Sequence, residues 1–382
     1  FKQKTAYEIG VRLVGSEMCI RDSISGACHA NLGQLSKAVS CYNNALKLNP
    51  NYAEASNNLG ITLHQLGKLD DAIRNYNKAL LIKPEYAEAQ NNLGNALKDL
   101  GEIDSAIVLY EKALANKPDF SEAFDNLVVV LNEFNDFRIT IKSYQKVIKA
   151  NPKLPEAHHN LGLAFQTTGQ NDKAIRSYKK AIHIKPDYAE AHNNIGIVFK
   201  ELGQLEEAIK SYEKSLTINP NFAEAHNNLG NILRELGKLD DAANCFHKVI
   251  SINPNIAEVH NNLGMIFNQL GKLNKAEDSF IHAIKLEPNY ADAHSNLGMV
   301  YNEFGRVEQA IKSLKKAIDL EPQYALGHIN LCTILYANQD YHSAFKTITK
   351  ANAINPKSKS IRLLFYLLNS KPHIRGDINN SR

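Results

Sequence analysis

Apolar and polar residues along the chain recur with a period of 34. Laid out from Ala53, nine complete units follow one another: 53–86, 87–120, 121–154, 155–188, 189–222, 223–256, 257–290, 291–324 and 325–358. A truncated unit ending at Tyr52 precedes them. The unit 223–256 reads AEAHNNLGNILRELGKLDDAANCFHKVISINPNI. Its positions 1–14 carry apolar residues at 7 and 11 (Leu229, Leu233), with Gly230 at 8. After Gly237 at position 15, small or apolar residues stand at 20, 24 and 27 (Ala242, Phe246, Val249). Both sets follow the i, i+3, i+4, i+7 spacing of an amphipathic helix. Each unit is expected to hold two such helices, A and B. Their limits are set by punctuation: ten of twelve prolines share one phase, from Pro50 to Pro356, and sixteen of twenty glycines share two others, exemplified by Gly60 and Gly67. Proline stops a helix, and glycine permits close backbone approach or a tight turn.

One pair of helices this short cannot bury enough apolar surface to stand alone. Stacked pairs share a continuous core, as solenoids do. The signature L-G-x-x-[YFL] on helix A, Ala at position 20, an aromatic at 24, Ala at 27 and Pro at 32 resembles the tetratricopeptide repeat, over about residues 24–358. The resemblance implies an all-α fold, a right-handed α-solenoid of antiparallel helix pairs stacked into a superhelix. Two units depart from the pattern. Unit 121–154 has Val128 for the first glycine, Asn135 for the second and Thr140 for the alanine, which predicts local loosening or a bend. Unit 325–358 has Cys332 and Gln339 at its glycine positions, as expected near an end. Beyond it, residues 359–370 read as a capping helix over the last repeat, and 371–382 as a polar tail.

The segment Phe1–Ser23 lacks the repeat and any helical period, and is expected to be irregular. It resembles the in-frame translation of sequencing-library adapters in two places, Lys2–Ile9 and Glu17–Ser23, and is set aside from fold reasoning as a fusion scar would be. The charge balance changes the functional picture more. The net +4 comes from the two ends, because residues 24–358 hold 35 basic and 36 acidic side chains. So even a balance lacks the concentrated basic face that nucleic acid needs. No stretch is apolar and long enough to span a bilayer. The five cysteines, Cys19, Cys28, Cys41, Cys245 and Cys332, form no C-x-x-C pair and do not repeat with the array, so a reducing, cytoplasmic setting is expected.

Chemistry-bearing residues lie in rows rather than in one constellation. Position 6 is Asn in every complete unit: Asn58, Asn92, Asn126, Asn160, Asn194, Asn228, Asn262, Asn296 and Asn330. Position 12 varies freely, from His64 and Lys98 to Arg234 and Tyr336. Asn inside a helix costs about 0.6 kcal/mol relative to Ala, so nine cost on the order of 5 kcal/mol, comparable to a small domain's margin. Something must offset that. A carboxamide both donates and accepts, matching the C=O and N–H of an extended peptide. A row of Asn58-type residues, flanked at position 5 by Asn57, Asn91, Asn193, Asn227 and Asn261, is the candidate peptide-binding site; the alternative is that each Asn bonds a neighbouring repeat. The resemblance adds that helix A lines the inner surface, as in the similar superhelical arm of O-linked N-acetylglucosamine transferases.

His stands at position 4 in six consecutive units, from His158 to His328. At roughly 10 Å per helix diameter such rings are too far apart to share a zinc at about 2 Å, so they read as half-buried packing residues, and no metal is implied. Glu at position 2, from Glu54 to Glu258, is either a helix-dipole charge or an acidic rim of the groove. With Asn rather than Lys at position 5, it speaks against the Lys/Arg clamp for C-terminal carboxylates. No P-loop, Rossmann, H-E-x-x-H or nucleophile-elbow motif occurs, and no cofactor is implied. The expected function is non-catalytic: a scaffold binding other proteins through extended peptides, with self-association through exposed apolar ends. The alternative is the substrate-recruiting arm of a larger transferase, O-glycosyltransferase-like or sulfotransferase-like.

Overall fold

The computed structural model describes residues 6–369, with side chains from Glu17 onward. It divides into two bodies, Phe1–Asp187 and Tyr188–Arg382. The first holds α1 (Ala6–Asn31), α2 (Leu35–Leu48), α3 (Ala53–Gln65), α4 (Leu69–Ile82), α5 (Ala87–Asp99), α6 (Ile103–Asn116), α7 (Ser121–Phe134), α8 (Phe137–Ala150), α9 (Pro155–Thr167) and α10 (Asn171–Ile184). The second holds α11 (Ala189–Glu201), α12 (Leu205–Ile218), α13 (Ala223–Glu235), α14 (Leu239–Ile252), α15 (Ala257–Gln269), α16 (Leu273–Leu286), α17 (Ala291–Glu303), α18 (Val307–Leu320), α19 (Ala325–Ala337), α20 (Tyr341–Ile354) and α21 (Lys359–Asn369). Among the described residues there is no strand. Within each body, A and B helices pack as hairpins, and each B helix rests on the A helix that follows it. This is the α-solenoid of antiparallel pairs that the periodicity implies.

The hairpin is built around one contact. The position-24 side chain of helix B is fully buried in every repeat from Tyr42 to Ile348, and lies against the position-8 glycine of helix A wherever that glycine is present. A Cβ at Gly60 would stand 2.6 Å from the Tyr76 ring, at Gly94 2.7 Å from Tyr110, at Gly196 2.7 Å from Tyr212 and at Gly264 2.7 Å from Phe280. No side chain fits there. The alanines at positions 20 and 27, Ala72 and Ala79 for example, close the rest of the interface at full burial. Helix A then ends in a Schellman motif: Gly67, at φ +72°, donates from its N–H to His64 O at 2.9 Å, and Lys68 N donates to Leu63 O at 2.9 Å. Helix B ends where proline supplies no N–H, as at Pro84 after Lys83.

The two irregular repeats solve the turn differently. Asn135 and Gln339 take the left-handed conformation without glycine, at φ +52° and +64°. In compensation each is followed by an aspartate that caps the next helix. Asp136 Oδ1 accepts from Arg138 N at 2.9 Å, and Asp340 Oδ1 accepts from Ser343 N at 3.1 Å. Among α2–α20 these are the helices with a side-chain N-cap bond. Around Val128 the expected loosening takes a specific form. The Tyr144 ring stays buried, at 6.4 Å from the Phe124 ring. Meanwhile α8 comes directly against α6, where Glu111 takes hydrogen bonds from Ser143 Oγ and Lys146 Nζ, both at 2.6 Å.

The first segment corrects one expectation. Residues 6–23, expected to be irregular, are helical: α1 runs unbroken to Asn31, because nothing between them removes a backbone donor as proline would. Cys19 and Ser23, at positions 1 and 5 of the register, are buried; Phe1–Thr5 lie outside the described residues. At the other end α21 packs on α20 through Ile361 and Leu368, with Phe365 stacked on Phe345 at 5.7 Å, while Leu363 and Tyr366 stay exposed. Ser370 and the expected tail 371–382 lie outside the described residues.

Two stability outcomes follow. Gly60→Ala, forcing a methyl into the Tyr76 ring, lowers unfolding free energy by about 1–3 kcal/mol in urea titrations, despite alanine's better helix propensity. Gln339→Gly, by contrast, relieves left-handed strain worth roughly 1–2 kcal/mol and raises the melting temperature.

Candidate functional site

The A helices of successive repeats lie side by side, and the polar residues of the register meet across them in a ladder. Asn92 Nδ2 donates to Asn57 Oδ1 at 3.0 Å and Asn126 Nδ2 to Asn91 Oδ1 at 3.0 Å. In the second body Asn228 Nδ2 donates to Asn193 Oδ1 at 3.1 Å, Asn296 Nδ2 to Asn261 Oδ1 at 3.0 Å and Asn330 Nδ2 to Ser295 Oγ at 3.2 Å. The rung thus runs from position 6 of one repeat to position 5 of the repeat before. Position 5 passes the bond on: Asn91 Nδ2 donates to Glu122 Oε1 and Asn193 Nδ2 to Glu224 Oε1, both at 3.0 Å, while Asn261 Nδ2 reaches the Tyr290 hydroxyl at 3.5 Å.

Burial separates the two rows. Asn57, Asn91, Asn193 and Asn261 are 0–3% exposed, so they sit beneath the surface as struts. The sequence reading that put them in contact with a peptide is revised accordingly: a helix wheel places positions 5 and 6 on adjoining strips, but the neighbouring helix covers only one of them. Asn227 is half-buried, and its Oδ1 has no partner. At position 6, Asn58, Asn92, Asn126, Asn160, Asn194, Asn228, Asn296 and Asn330 are half-exposed, and Asn262 is buried. Their neighbour bonds use one N–H of Asn92, Asn126, Asn228, Asn296 and Asn330, and each carboxamide has a second N–H and two lone pairs. Where position 5 is Asp125 or His159 the pattern changes. Asn160 hydrogen-bonds the Tyr144 hydroxyl, which burial pushes up to about 12.

Other residues complete the face. The Tyr110 hydroxyl donates to Asn95 Oδ1 at 2.7 Å and that of Tyr178 to Gln166 Oε1 at 2.8 Å, so position 24 reaches through the hairpin to positions 9 and 12 of helix A. His64 Nε2 and Asp99 Oδ2, from consecutive repeats, are 2.7 Å apart. Ile61, His64, Gln65, Tyr76, Asn92 and Asn95 line a depression of about 410 Å³. Sequence reading missed this bridge and the aromatic row at position 34, although Tyr or Phe recurs there from Tyr52 to Tyr324. The Tyr324 hydroxyl bonds Asp292 and Ser295, and burial above all holds it far above the usual phenol range.

The His row has a different task. His158, His226, His260, His294 and His328 each donate from Nε2 to the carbonyl of the proline six residues earlier, at 2.9–3.1 Å, and Gln90 does the same to Pro84 at 2.8 Å. A carbonyl only accepts, so Nε2 carries the proton. Position 4 is thus a clip on the inter-repeat loop. Among the described residues no His/Cys/Asp/Glu group is arranged to hold a metal ion. Glu at position 2 sits in the first turn of helix A, where the dipole favours it, and is also tied: Glu88 accepts from Lys117 Nζ at 2.8 Å, which holds its carboxyl below the usual range.

Comparison with known families is consistent along the array. Models described as "TPR repeat" match residues 29–67, 62–101, 140–169, 167–203 and 198–233. Those described as "Tetratricopeptide repeat" match 87–120, 223–256 and 255–322. The chain belongs to the tetratricopeptide repeat family. The matches omit 121–139, the stretch around Val128 and Asn135, and the last repeat with Cys332 and Gln339. No curated protein matches the chain. Among solved structures it is similar to the APC/C hetero-tetramer Cut9–Hcn1 (14% identity, 90% of this chain and 95% of that one, TM-score 0.50). It is also similar to PilW, a widely conserved type IV pilus biogenesis factor (19% identity, 55% and 97%, TM-score 0.51). At such identities the likeness shows the tetratricopeptide fold alone.

Within this repeat array the ladder has a measurable weight. Asn193→Ala strands the Glu224 carboxylate and the Asn228 amide, and costs about 1–3 kcal/mol of unfolding free energy. Asn227→Ala, at a position-5 residue whose Oδ1 has no partner, costs less than half as much in the same chemical denaturation series.

Proposed function

We propose that the protein is a non-catalytic scaffold that binds extended segments of other proteins along the A-helix face, gripping their backbone through the position-6 carboxamides. One observation carries the reading: half-exposed Asn recurs at this position in eight of nine repeats, and beside Asn58, Asn92, Asn194 and Asn296 the position-5 residue is a buried strut. Carboxamides fixed by a neighbour lose little rotamer freedom when a chain docks, and that preorganisation favours binding. Their remaining N–H and C=O valences match a peptide main chain and are indifferent to its side chains. The supporting struts also account for the cost of Asn in a helix without weakening the reading, because the strut bonds leave the outer row with unused capacity.

The family supports an interaction scaffold more broadly. No helix of the described residues is long and apolar enough to cross a membrane. The five cysteines form no disulfide, which fits a reducing compartment. The exposed Leu363 and Tyr366 of α21 give the chain an apolar end suited to self-association.

The test is fluorescence anisotropy with a labelled pool of random 15-residue peptides. The triple variant Asn194→Ala, Asn228→Ala, Asn262→Ala is expected to lose tenfold or more in affinity while its circular dichroism melt stays cooperative. Full affinity in that variant would remove the carboxamide row from the function.

A further inference from the structure

We propose that Arg234 reads a side chain of the bound segment and selects an acidic one, Asp or Glu; this rests on the peptide-binding reading above. The geometry comes from the register. His64, at position 12, meets Asp99, at position 13 of the next repeat, at 2.7 Å, and shares a depression with Asn92 and Asn95 at positions 6 and 9. Position 12 therefore stands over the carboxamide row and looks toward position 13 of its neighbour. The same register sets Arg234 of α13 beside Asn262, Met265 and Gln269 of α15.

Every basic position-12 residue except Arg234 is followed by an acidic residue at position 13 of the next repeat. His64, Lys98 and Lys200 are followed by Asp99, Glu133 and Glu235, and the first of these pairs closes at 2.7 Å. Arg234 faces Gln269. No ion pair forms at Arg234, and its Nε is buried without a hydrogen-bond partner. Its own repeat lacks another donor: Tyr110 and Tyr178 send hydroxyls to Asn95 and Gln166, but here position 24 is Phe246. Of eight buried side-chain N or O atoms without partners among the described residues, five belong to Tyr212, His226, Asn227, Arg234 and Asn268. Buried polar groups are nearly always bonded in native proteins, so the unpartnered Arg234 Nε–H is a donor left for a group from outside the chain. A guanidinium with an unused Nε–H offers a planar fork, and a carboxylate is the group that fills such a fork with two parallel bonds.

The experiment uses the full chain on an array of random 15-residue peptides. The wild type is expected to bind Glu-containing spots about tenfold more strongly than their Gln counterparts, the increment of a charge-assisted hydrogen bond. Arg234→Gln removes that preference but keeps the uncharged spots, and Arg234→Glu turns it toward Lys and Arg. A second variant covers a misfolded first one: Gln269→Glu gives Arg234 an internal carboxylate, as Asp99 gives His64, and is expected to abolish the acidic preference. An acidic preference unchanged in all variants, or absent in a wild type that binds uncharged spots, overturns this inference and leaves the carboxamide reading standing. A wild type that binds no peptide overturns both.

Discussion

Everything else in this fold depends on a ring seated on a glycine. With the position-8 glycine bare, the two helices of a repeat approach until the position-24 ring meets backbone, and that approach brings the small residues at 20 and 27 into contact. It also carries the phenol of Tyr110 or Tyr178 through the hairpin to the polar face. The core and the polar face are set by the same contact. Where Val128 takes the glycine's place, Tyr144 stays buried but leans toward Phe124, and α8 settles against α6 instead of keeping the regular spacing. One methyl-bearing substitution thus propagates to a neighbouring helix, as close packing requires.

The second constraint joins repeats rather than helices within one. Rungs between Asn residues 35 apart, together with the His-to-proline clips, hold consecutive repeats at a fixed offset by hydrogen bonds that sit between stacked layers. Hydrophobic burial alone is non-directional and would let one layer slide over the next. Directional bonds remove that freedom, and this is what turns a pile of hairpins into a surface with evenly placed donors and acceptors. The helix propensity sacrificed at Asn92, Asn126, Asn228, Asn296 and Asn330 is offset by this layer-to-layer register.

Much of this was legible in the sequence. Proline and glycine phases gave the helix limits to within a residue or two, and Asn135, Gln339 and Val128 marked the irregular repeats before any coordinates. The uniformity of the Asn row pointed to the polar face. What the sequence withheld were relations between repeats. A helix wheel is drawn for one helix, so it cannot tell that Asn193 is roofed by its neighbour while Asn194 is not, or that His158 faces a proline carbonyl rather than a packed core. The pairing of position 12 with position 13 of the next repeat is equally invisible until one bond, His64 with Asp99, supplies the offset. Composition likewise misjudged the first segment: its lack of amphipathic period concealed a backbone with no proline to interrupt it, and α1 continues through it.

The side chain at position 24 dwindles along the second body: Tyr212, Phe246, Phe280, Leu314, Ile348. Cys332 also replaces the last glycine of the series. In a quasi-one-dimensional stack, stability is a sum of nearest-neighbour terms, and here those terms diminish in one direction. Such a molecule loosens on one side before its main transition. It frays from α20 and α21 backwards, exchanging amide hydrogens there long before it does so around Tyr212. The chain carries an order of disassembly written into the size of one residue per repeat.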